Sequence, residues 1–335
     1  MAEEEILSKK ALIVICVISI IIIIVGMILL ALGYNKAFYL NYTLIQAIFK
    51  VITYLGEPVV FIIIIAIFYI VYDKKFAKNL AFSLLLSGYI NEFVKEIFQD
   101  SRPPANAAPE EEYGFVETSY GFPSGHTQTA VTTWGYMAYE FKDKPKPYIV
   151  PIILSVLIFL ISISRIIIGV HDLQDIIGGF AIGICLLVAF IYLEPIISPK
   201  INKLSLIIKI LIAVIVSVSI FIIGTLLFPT AGLGLVDNPP LYADEGSFAL
   251  VGGAMLGLSV GYLLENEYVN YKPSELNKKQ KIINLTIGIV SLLIVYLCLD
   301  LVVSGNVVLR FIRYAMISFI LTFFGPVMFK KINRK

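Results

Sequence analysis

Residues 148–194, YIVPIILSVLIFLISISRIIIGVHDLQDIIGGFAIGICLLVAFIYLE, decide how the chain is read. Two apolar runs, 148–168 and 173–194, meet at a short polar joint. Each is close to the roughly 20 residues a helix needs to cross a hydrocarbon core while satisfying its own backbone hydrogen bonds. Ser164, Arg165, His171, Asp172 and Asp175 cluster around the joint. Ionisable groups at such a depth are costly and mark function by default.

Working outward, the same pattern fills the chain. Of 335 residues, 59% are hydrophobic and 15% charged, against about 45–50% and 25% in soluble domains. Spans are expected at 11–33, 57–73, 77–99, 124–141, 148–168, 173–194, 204–228, 247–265, 282–303 and 308–329, about ten transmembrane helices in an all-α polytopic membrane protein. The first is expected to be retained: Met1-Ala2-Glu3-Glu4-Glu5 is acidic, the run is long, and no small-residue cleavage site follows. A proline and a charged turn at Ser198-Pro199-Lys200 divide the chain into 1–198, six helices with every polar cluster, and 199–335, a four-helix extension.

Charge placement gives orientation. With the amino terminus cytoplasmic, the basic loops at Lys9-Lys10, Lys74-Lys75-Lys78, Lys142-Lys144-Lys146, Lys200-Lys203, Lys278-Lys279-Lys281 and Lys330-Lys331-Arg334-Lys335 all fall inside. Both termini are then cytoplasmic and the polar clusters extracytoplasmic. The net charge of +2 is scattered among loops, so no nucleic-acid partner is expected. Cys16, Cys185 and Cys298 lie far apart in apolar runs and read as packing residues. The connection 101–122, which contains Glu110-Glu111-Glu112, is long enough to suggest a lid.

Three clusters carry the chemistry. In the first, Lys95 precedes Arg102-Pro103 by two helical turns, so the cations share a face if the helix runs that far, although the proline disfavours it. A point-charge ammonium and a planar guanidinium suit a dianionic phosphate. In Pro123-Ser124-Gly125-His126 a helix start offers unpaired N–H groups to an anion. Gly125 permits close backbone approach and His126 can reach a leaving oxygen. In the third, His171 and Asp175 stand at i and i+4, so the carboxylate can hold one ring nitrogen and direct the other, with Arg165 as a further clamp. Together they supply what covalent phosphoryl transfer without a metal or cofactor requires.

These clusters resemble the type 2 phosphatidic acid phosphatase family, the lipid phosphate phosphatases, whose core is also similar to that of vanadium haloperoxidases. Lys95 to Arg102-Pro103, Pro123-Ser124-Gly125-His126, and Ser164-Arg165 to His171 to Asp175 match the family's three motifs without departure, over about residues 40–195. The resemblance implies that His171 attacks phosphorus and becomes a phosphohistidine, Asp175 orients it, and His126 protonates the leaving oxygen. Lys95, Arg102, Ser124, Gly125 and Arg165 would bind the phosphoryl oxygens. It also implies a six-helix core with the motifs at the ends of its third to sixth helices.

Blander readings cover the remainder. Lys209 snorkels from a helix end. Asp300, Arg310 and Arg313 form an ion pair or anchor headgroups. Asp172 projects to another face and is solvated or set behind the nucleophile. Gly252, Gly253, Gly257 and Gly261 suggest close helix packing and weakly point to a homo-oligomer. The expected function is hydrolysis of a lipid phosphate or diphosphate at the extracytoplasmic face, with a polyprenyl diphosphate favoured. Phosphatidic acid or another phospholipid, a lipid phosphotransferase, and a transporter that binds lipid phosphate without cleaving it are the alternatives.

Overall fold

The computed structural model describes residues 9–33, 39–103, 119–142, 149–228, 246–302 and 306–333. Glu110-Glu111-Glu112 and the centre of the long 101–122 connection lie outside the described residues, as do Lys144, Lys146, Arg334, Lys335 and the side chains of Cys16 and Asp300. The described residues are helical, with one isolated bridge, Tyr39 to Ile168, in place of any strand.

The helices follow in order as α1 (Lys9–Ala31), α2 (Thr43–Tyr54), α3 (Pro58–Val71), α4 (Lys74–Phe98), α5 (Gly125–Glu140), α6 (Ile149–Ile167) and α7 (Leu173–Asn202). There follow α8 (Leu206–Leu227), α9 (Ser247–Leu264), α10 (Lys278–Val302), α11 (Val307–Phe319) and α12 (Gly325–Asn333). A π-helical turn, Glu265–Val269, extends α9, and another, Ile320–Phe324, joins α11 to α12. Side-chain caps start several of them: Ser124, Ser205 and Asn306 accept the N–H of Thr127, Ile208 and Leu309.

Every apolar run expected to span is helical; of α1 only Val17–Leu29 is described throughout, and among the other helices length and composition qualify fewer as crossings. Six described helices pass: α6, α7, α8, α9 with its π turn, α10, and α11 continued through α12. A seventh arises if α2 and α3, bent by 45° at a short break, form one span. α5 has only 16 residues, about 24 Å of rise against a core of roughly 30 Å. α4 is long enough at 25 residues, but carries Lys74, Lys75, Lys78, Glu92, Lys95 and Glu96. The chain is a multi-pass, all-α membrane protein. Its lipid-facing surface is plain on α8, where Ile207, Leu211, Ile215 and Leu226 are more than half exposed.

α7 does not stop at Ser198-Pro199. It runs 30 residues through Pro195 and Pro199. Both prolines are exposed, four residues apart, so their missing N–H groups cost bonds on one open side of the last turns only.

The compact units also differ from the two blocks of sequence. One comprises Met1–Phe61 with Ile90–Pro199; the other comprises Ile62–Tyr89 with Lys200–Lys335. Ile62–Tyr89 therefore packs with the carboxy-terminal helices. In that second unit the aromatic ring of Tyr89 meets Phe248 edge-on, the Tyr69 hydroxyl donates to the Thr322 carbonyl at 2.9 Å, and Lys74 pairs with the fully buried Glu265 at 2.6 Å.

The glycine stripe of α9 is consumed inside the second unit. A Cβ on Gly253 would fall 2.2 Å from the Phe311 carbonyl oxygen, and one on Gly257 would fall 2.0 Å from that of Ala315. The stripe thus lets α9 and α11 pack backbone to backbone. In the first unit α7 uses the same device against α5. A Cβ on Gly179 would lie 2.6 Å from the Ser124 carbonyl oxygen, and one on Gly183 would lie 2.8 Å from Val131 Cβ. The start of α5 is thereby pressed against the start of α7.

Candidate active site

The site is assembled wholly within the first unit, from the end of α4, the start of α5, the end of α6 and the start of α7. At its centre His171 is 1% exposed, in the turn between α6 and α7. The end of α6 shapes that turn: the N–H groups of Val170 and His171 both donate to the Arg165 carbonyl, and Gly169 takes a φ of 81°. A left-handed residue there turns the chain from one helix into the next.

Asp172 begins α7. Its Oδ1 accepts the Asp175 N–H at 3.1 Å, while Asp175 Oδ2 accepts the Asp172 N–H at 3.3 Å. This is a reciprocal capping box with a carboxylate at both positions. Asp172 is 1% exposed and also takes the Gln174 amide. It is therefore neither solvated nor idle: it nails down the turn of helix that carries Asp175. Burial, foremost, pushes its carboxyl up to about 7.

Asp175 Oδ2 also lies 2.8 Å from His171 Nδ1, and Arg102 Nη1 lies 3.0 Å from His171 Nε2. A guanidinium only donates, so Nε2 must accept, and Nδ1 carries the proton given to Asp175. The contacts on both edges thus set one tautomer, with the Nε2 lone pair facing the cation. Burial, and after it the positive charges of Arg102, Arg165 and Lys95, holds the ring well below the usual histidine range, keeping that lone pair available.

The cations come from three places. α4 ends at Phe98, and Gln99 has a φ of 48°, so Arg102 lies beyond the helix rather than on a shared face with Lys95. They converge nonetheless. Lys95 Nζ donates to Ser119 Oγ at 2.6 Å, and Arg102 Nη2 donates to the same oxygen at 3.0 Å. Arg102 Nε holds the Ser119 carbonyl at 2.8 Å, and Nη1 also reaches the Val170 carbonyl at 3.1 Å. Two cations focused on one oxygen beside an imidazole lone pair form a geometry that suits a phosphoryl oxygen. Arg165, completely buried, donates from Nη1 to Thr53 Oγ1 of α2 at 2.9 Å.

Ser124 is fully buried, and its backbone N–H donates to the Asp175 carbonyl at 3.0 Å, so motif two is tied to motif three. Gly125 makes room within the protein: a Cβ there would sit 3.0 Å from Asn91 Oδ1. Asn91 in turn donates to the Pro123 carbonyl at 3.2 Å and to Gln128 Oε1 at 2.9 Å, bracing the turn before α5. His126 Nε2 stands 3.1 Å from Glu57 Oε1. Asp100 is half-buried near this cluster, and burial pushes its carboxyl up to about 6.

Motif reading missed Thr53, Glu57, Asn91, Ser119 and the capping role of Asp172. Asp172-Leu173-Gln174-Asp175 does carry a capping spacing, and Glu57 is a carboxylate opening an apolar run, a signal in itself. Nothing local marks Thr53 or Ser119.

Known proteins resemble two stretches of this chain. Residues 76–198 match the family model described as PAP2 superfamily, and residues 249–335 match the PAP2 superfamily phosphatase, transmembrane extension. Phosphatidylglycerophosphatase B of Bacillus subtilis is 34% identical over 108 residues, 30% of this chain and 48% of that protein. Lipid A 4'-phosphatase of Porphyromonas gingivalis is 30% identical over 132 residues, 36% of this chain and 54% of that protein. Lipid phosphate phosphatase delta of Arabidopsis thaliana is 26% identical over 125 residues, 34% of this chain and 30% of that protein. The chain thus matches about half, or less, of these relatives' lengths. The crystal structure of a transmembrane PAP2 type phosphatidylglycerolphosphate phosphatase from Bacillus subtilis is 22% identical, with a TM-score of 0.45, over 58% of this chain and 98% of that one. With both a core and an extension model of one superfamily matched in order along most of its length, the chain belongs to the PAP2 superfamily.

Proposed function

We propose that this protein is a membrane phosphatase that hydrolyses a lipid phosphate or diphosphate through a phosphohistidine. The observation that carries the reading is the buried His171 ring, whose Nδ1 proton is spent on Asp175 while its Nε2 lone pair faces Arg102. An incoming phosphoryl group takes the place of the ring nitrogen as partner of Arg102, and Lys95 and Arg102 hold its oxygens. Nε2 then attacks phosphorus as the ester P–O bond breaks, and His126 gives its proton to the leaving oxygen. Water attacks next, returning a proton to His126 as the P–N bond breaks and phosphate leaves. Asp175 balances the charge that develops on His171 throughout. The protein's own cations, with the amide groups at the start of α5, supply the positive field this transfer needs without a metal.

The relatives are named for a phosphatidylglycerophosphate, a lipid phosphate and a lipid A phosphate. What they share is a phosphate carried by a lipid. Within that class we favour a polyprenyl diphosphate, because the basic loops support an extracytoplasmic site, where a spent glycan carrier needs its phosphate removed. The site residues would serve phosphatidic acid or a phosphotransferase equally well.

The test is phosphate release by detergent-purified protein, with EDTA present, from polyprenyl diphosphates and monophosphates, phosphatidic acid and sphingoid phosphates, beside His171→Ala. Release abolished by the substitution supports the reading and ranks the substrates. A variant that still turns over removes His171 as nucleophile. Silence across the panel favours a transferase or a carrier. The sidedness has its own test: a cysteine placed within 104–118 and labelled only from the cytoplasm would reverse the assignment.

A further inference from the structure

The break between α2 and α3 brings two side chains to the site that belong to none of the three motifs. It is a tight turn, in which the N–H groups of Leu55, Gly56 and Glu57 donate to the carbonyls of Ile52, Thr53 and Tyr54. Pro58 then restarts the helix, at a position where a missing N–H costs nothing. Thr53, just before the turn, accepts from Arg165. Gly56 and Glu57 meet His126 on two sides. A Cβ on Gly56 would lie 3.0 Å from His126 Cδ2 and 2.8 Å from Ile161 Cγ2, so the imidazole rests against bare backbone. The next residue closes the edge, with Glu57 Oε1 3.1 Å from His126 Nε2. His126 is thus held on one side by a glycine and on another by a carboxylate. Its exposure is 13% and that of Glu57 27%, so the pair is neither a free surface contact nor sealed in the core. A carboxylate at the break of an apolar span is a costly residue to keep without use.

We propose that Glu57 is the positioning residue of the proton donor, the counterpart for His126 of what Asp175 is for His171. This rests on the phosphatase reading above. Glu57 holds one N–H of the His126 imidazolium and balances its charge, and the other N–H is the proton passed to the leaving oxygen. As the His171 Nε2–phosphorus bond forms, the ester P–O bond breaks, its electron pair stays on oxygen, and that oxygen takes the His126 proton. In the second half the neutral ring accepts the proton of the attacking water as the P–N bond breaks, and the His126–Glu57 pair is restored. One span break therefore serves two parts of the reaction, Thr53 steadying a phosphate clamp and Glu57 steadying the acid.

The test uses two substrates that differ in need for a proton. A long-chain alkyl monophosphate expels a basic alkoxide and requires the acid, whereas p-nitrophenyl phosphate expels an acidic phenol and does not. The full-length protein is compared with Glu57→Gln, Glu57→Asp and His126→Asn. His126→Asn is expected to lower kcat on the alkyl ester by about 10²–10⁴-fold, and on the aryl ester only a few-fold. Glu57→Gln should show the same asymmetry at about 10–100-fold, with KM little changed and Glu57→Asp restoring most of the loss. A merely structural Glu57 would lower both substrates alike, and that result overturns the proposal. Should Glu57→Gln not fold, the alkyl-to-aryl ratio of Glu57→Asp decides by the same criterion. Equal losses on both esters in His126→Asn would instead remove the donor role of His126, and with it the reading on which Glu57 depends.

Discussion

The two compact units bury polar side chains to different ends. In the first, residues from several helix ends converge on a few groups: Lys95 and Arg102 on Ser119, Arg102 and Asp175 on His171, Glu57 on His126. In the second, several described polar groups pair with one another instead. Glu265 places Oε2 on Lys74 at 2.6 Å and Oε1 on the Tyr271 N–H at 2.6 Å. The Tyr271 hydroxyl donates to the Ile70 carbonyl at 2.7 Å and accepts from Asn284 at 3.1 Å. Asn284, within an Asn-Leu-Thr sequence, is fully buried and works as a packing residue. Arg313, also buried, lies over the Tyr314 ring at 5.0 Å. Convergence on an imidazole lone pair suits a site; pairwise closure suits a latch. Both cost desolvation, and the first aims its donors at a ring nitrogen with a lone pair to give.

That contrast breaks most clearly if a residue of the first unit proves dispensable. Asp175→Asn should lower kcat by about 10³–10⁴-fold, as losing the orienting carboxylate of a catalytic histidine does elsewhere. The melting temperature should move little, because the amide can still accept the Asp172 N–H. The second unit should show the reverse. Glu265→Gln leaves the Lys74 ammonium without its charge partner and should cost about 3–5 kcal/mol of stability, measured by thermal melting in detergent, with activity per folded molecule retained. Gly257→Leu forces a side chain against the Ala315 backbone and should cost about 1–3 kcal/mol or more, again without an effect on the site.

Two smaller effects sharpen the boundary within the first unit. Thr53→Val removes the hydroxyl that takes Arg165 Nη1 and should lower kcat/KM about tenfold, with the loss confined to phosphate binding and transfer. Asp100 has a folded-state carboxyl at about 6 against an ordinary 3.8. Its protonated form is the one the fold prefers, so that contribution is complete below about pH 4 and lost as pH rises through about 6. Asp100→Asn should therefore melt a few degrees above the wild type at pH 8, with the difference vanishing toward pH 4. An equal shift at both pH values would show that the burial of charge is not its cause.

Glycine makes the same comparison in another way. Gly253 and Gly257 admit a neighbouring helix, and the result is packing. Gly56 and Gly125 admit the His126 ring and the Asn91 amide, and the result is placement. A small-residue stripe read from sequence looks alike in both cases, which is why that on α9 suggested a second copy of the chain although α11 already fills it.

The sequence by itself determined whatever is set by local spacing. Apolar runs of bilayer length made the helices, whichever partners they later found, because a backbone in hydrocarbon has no other way to satisfy itself. His171 and Asp175 are four apart at a helix start, so their pairing needed one turn of helix and little else. Tertiary structure alone decided what depends on separated elements meeting. Arg165 finds Thr53 across 112 residues, and His126 finds Glu57 across 69. Neither distance leaves a periodicity to read, since each is set by a bend between α2 and α3 and by how closely α5, α6 and α7 approach. The allotment of Ile62–Tyr89 to the second unit is of the same kind. An apolar helix face suits lipid or protein alike, so composition cannot choose between them, and shape complementarity does.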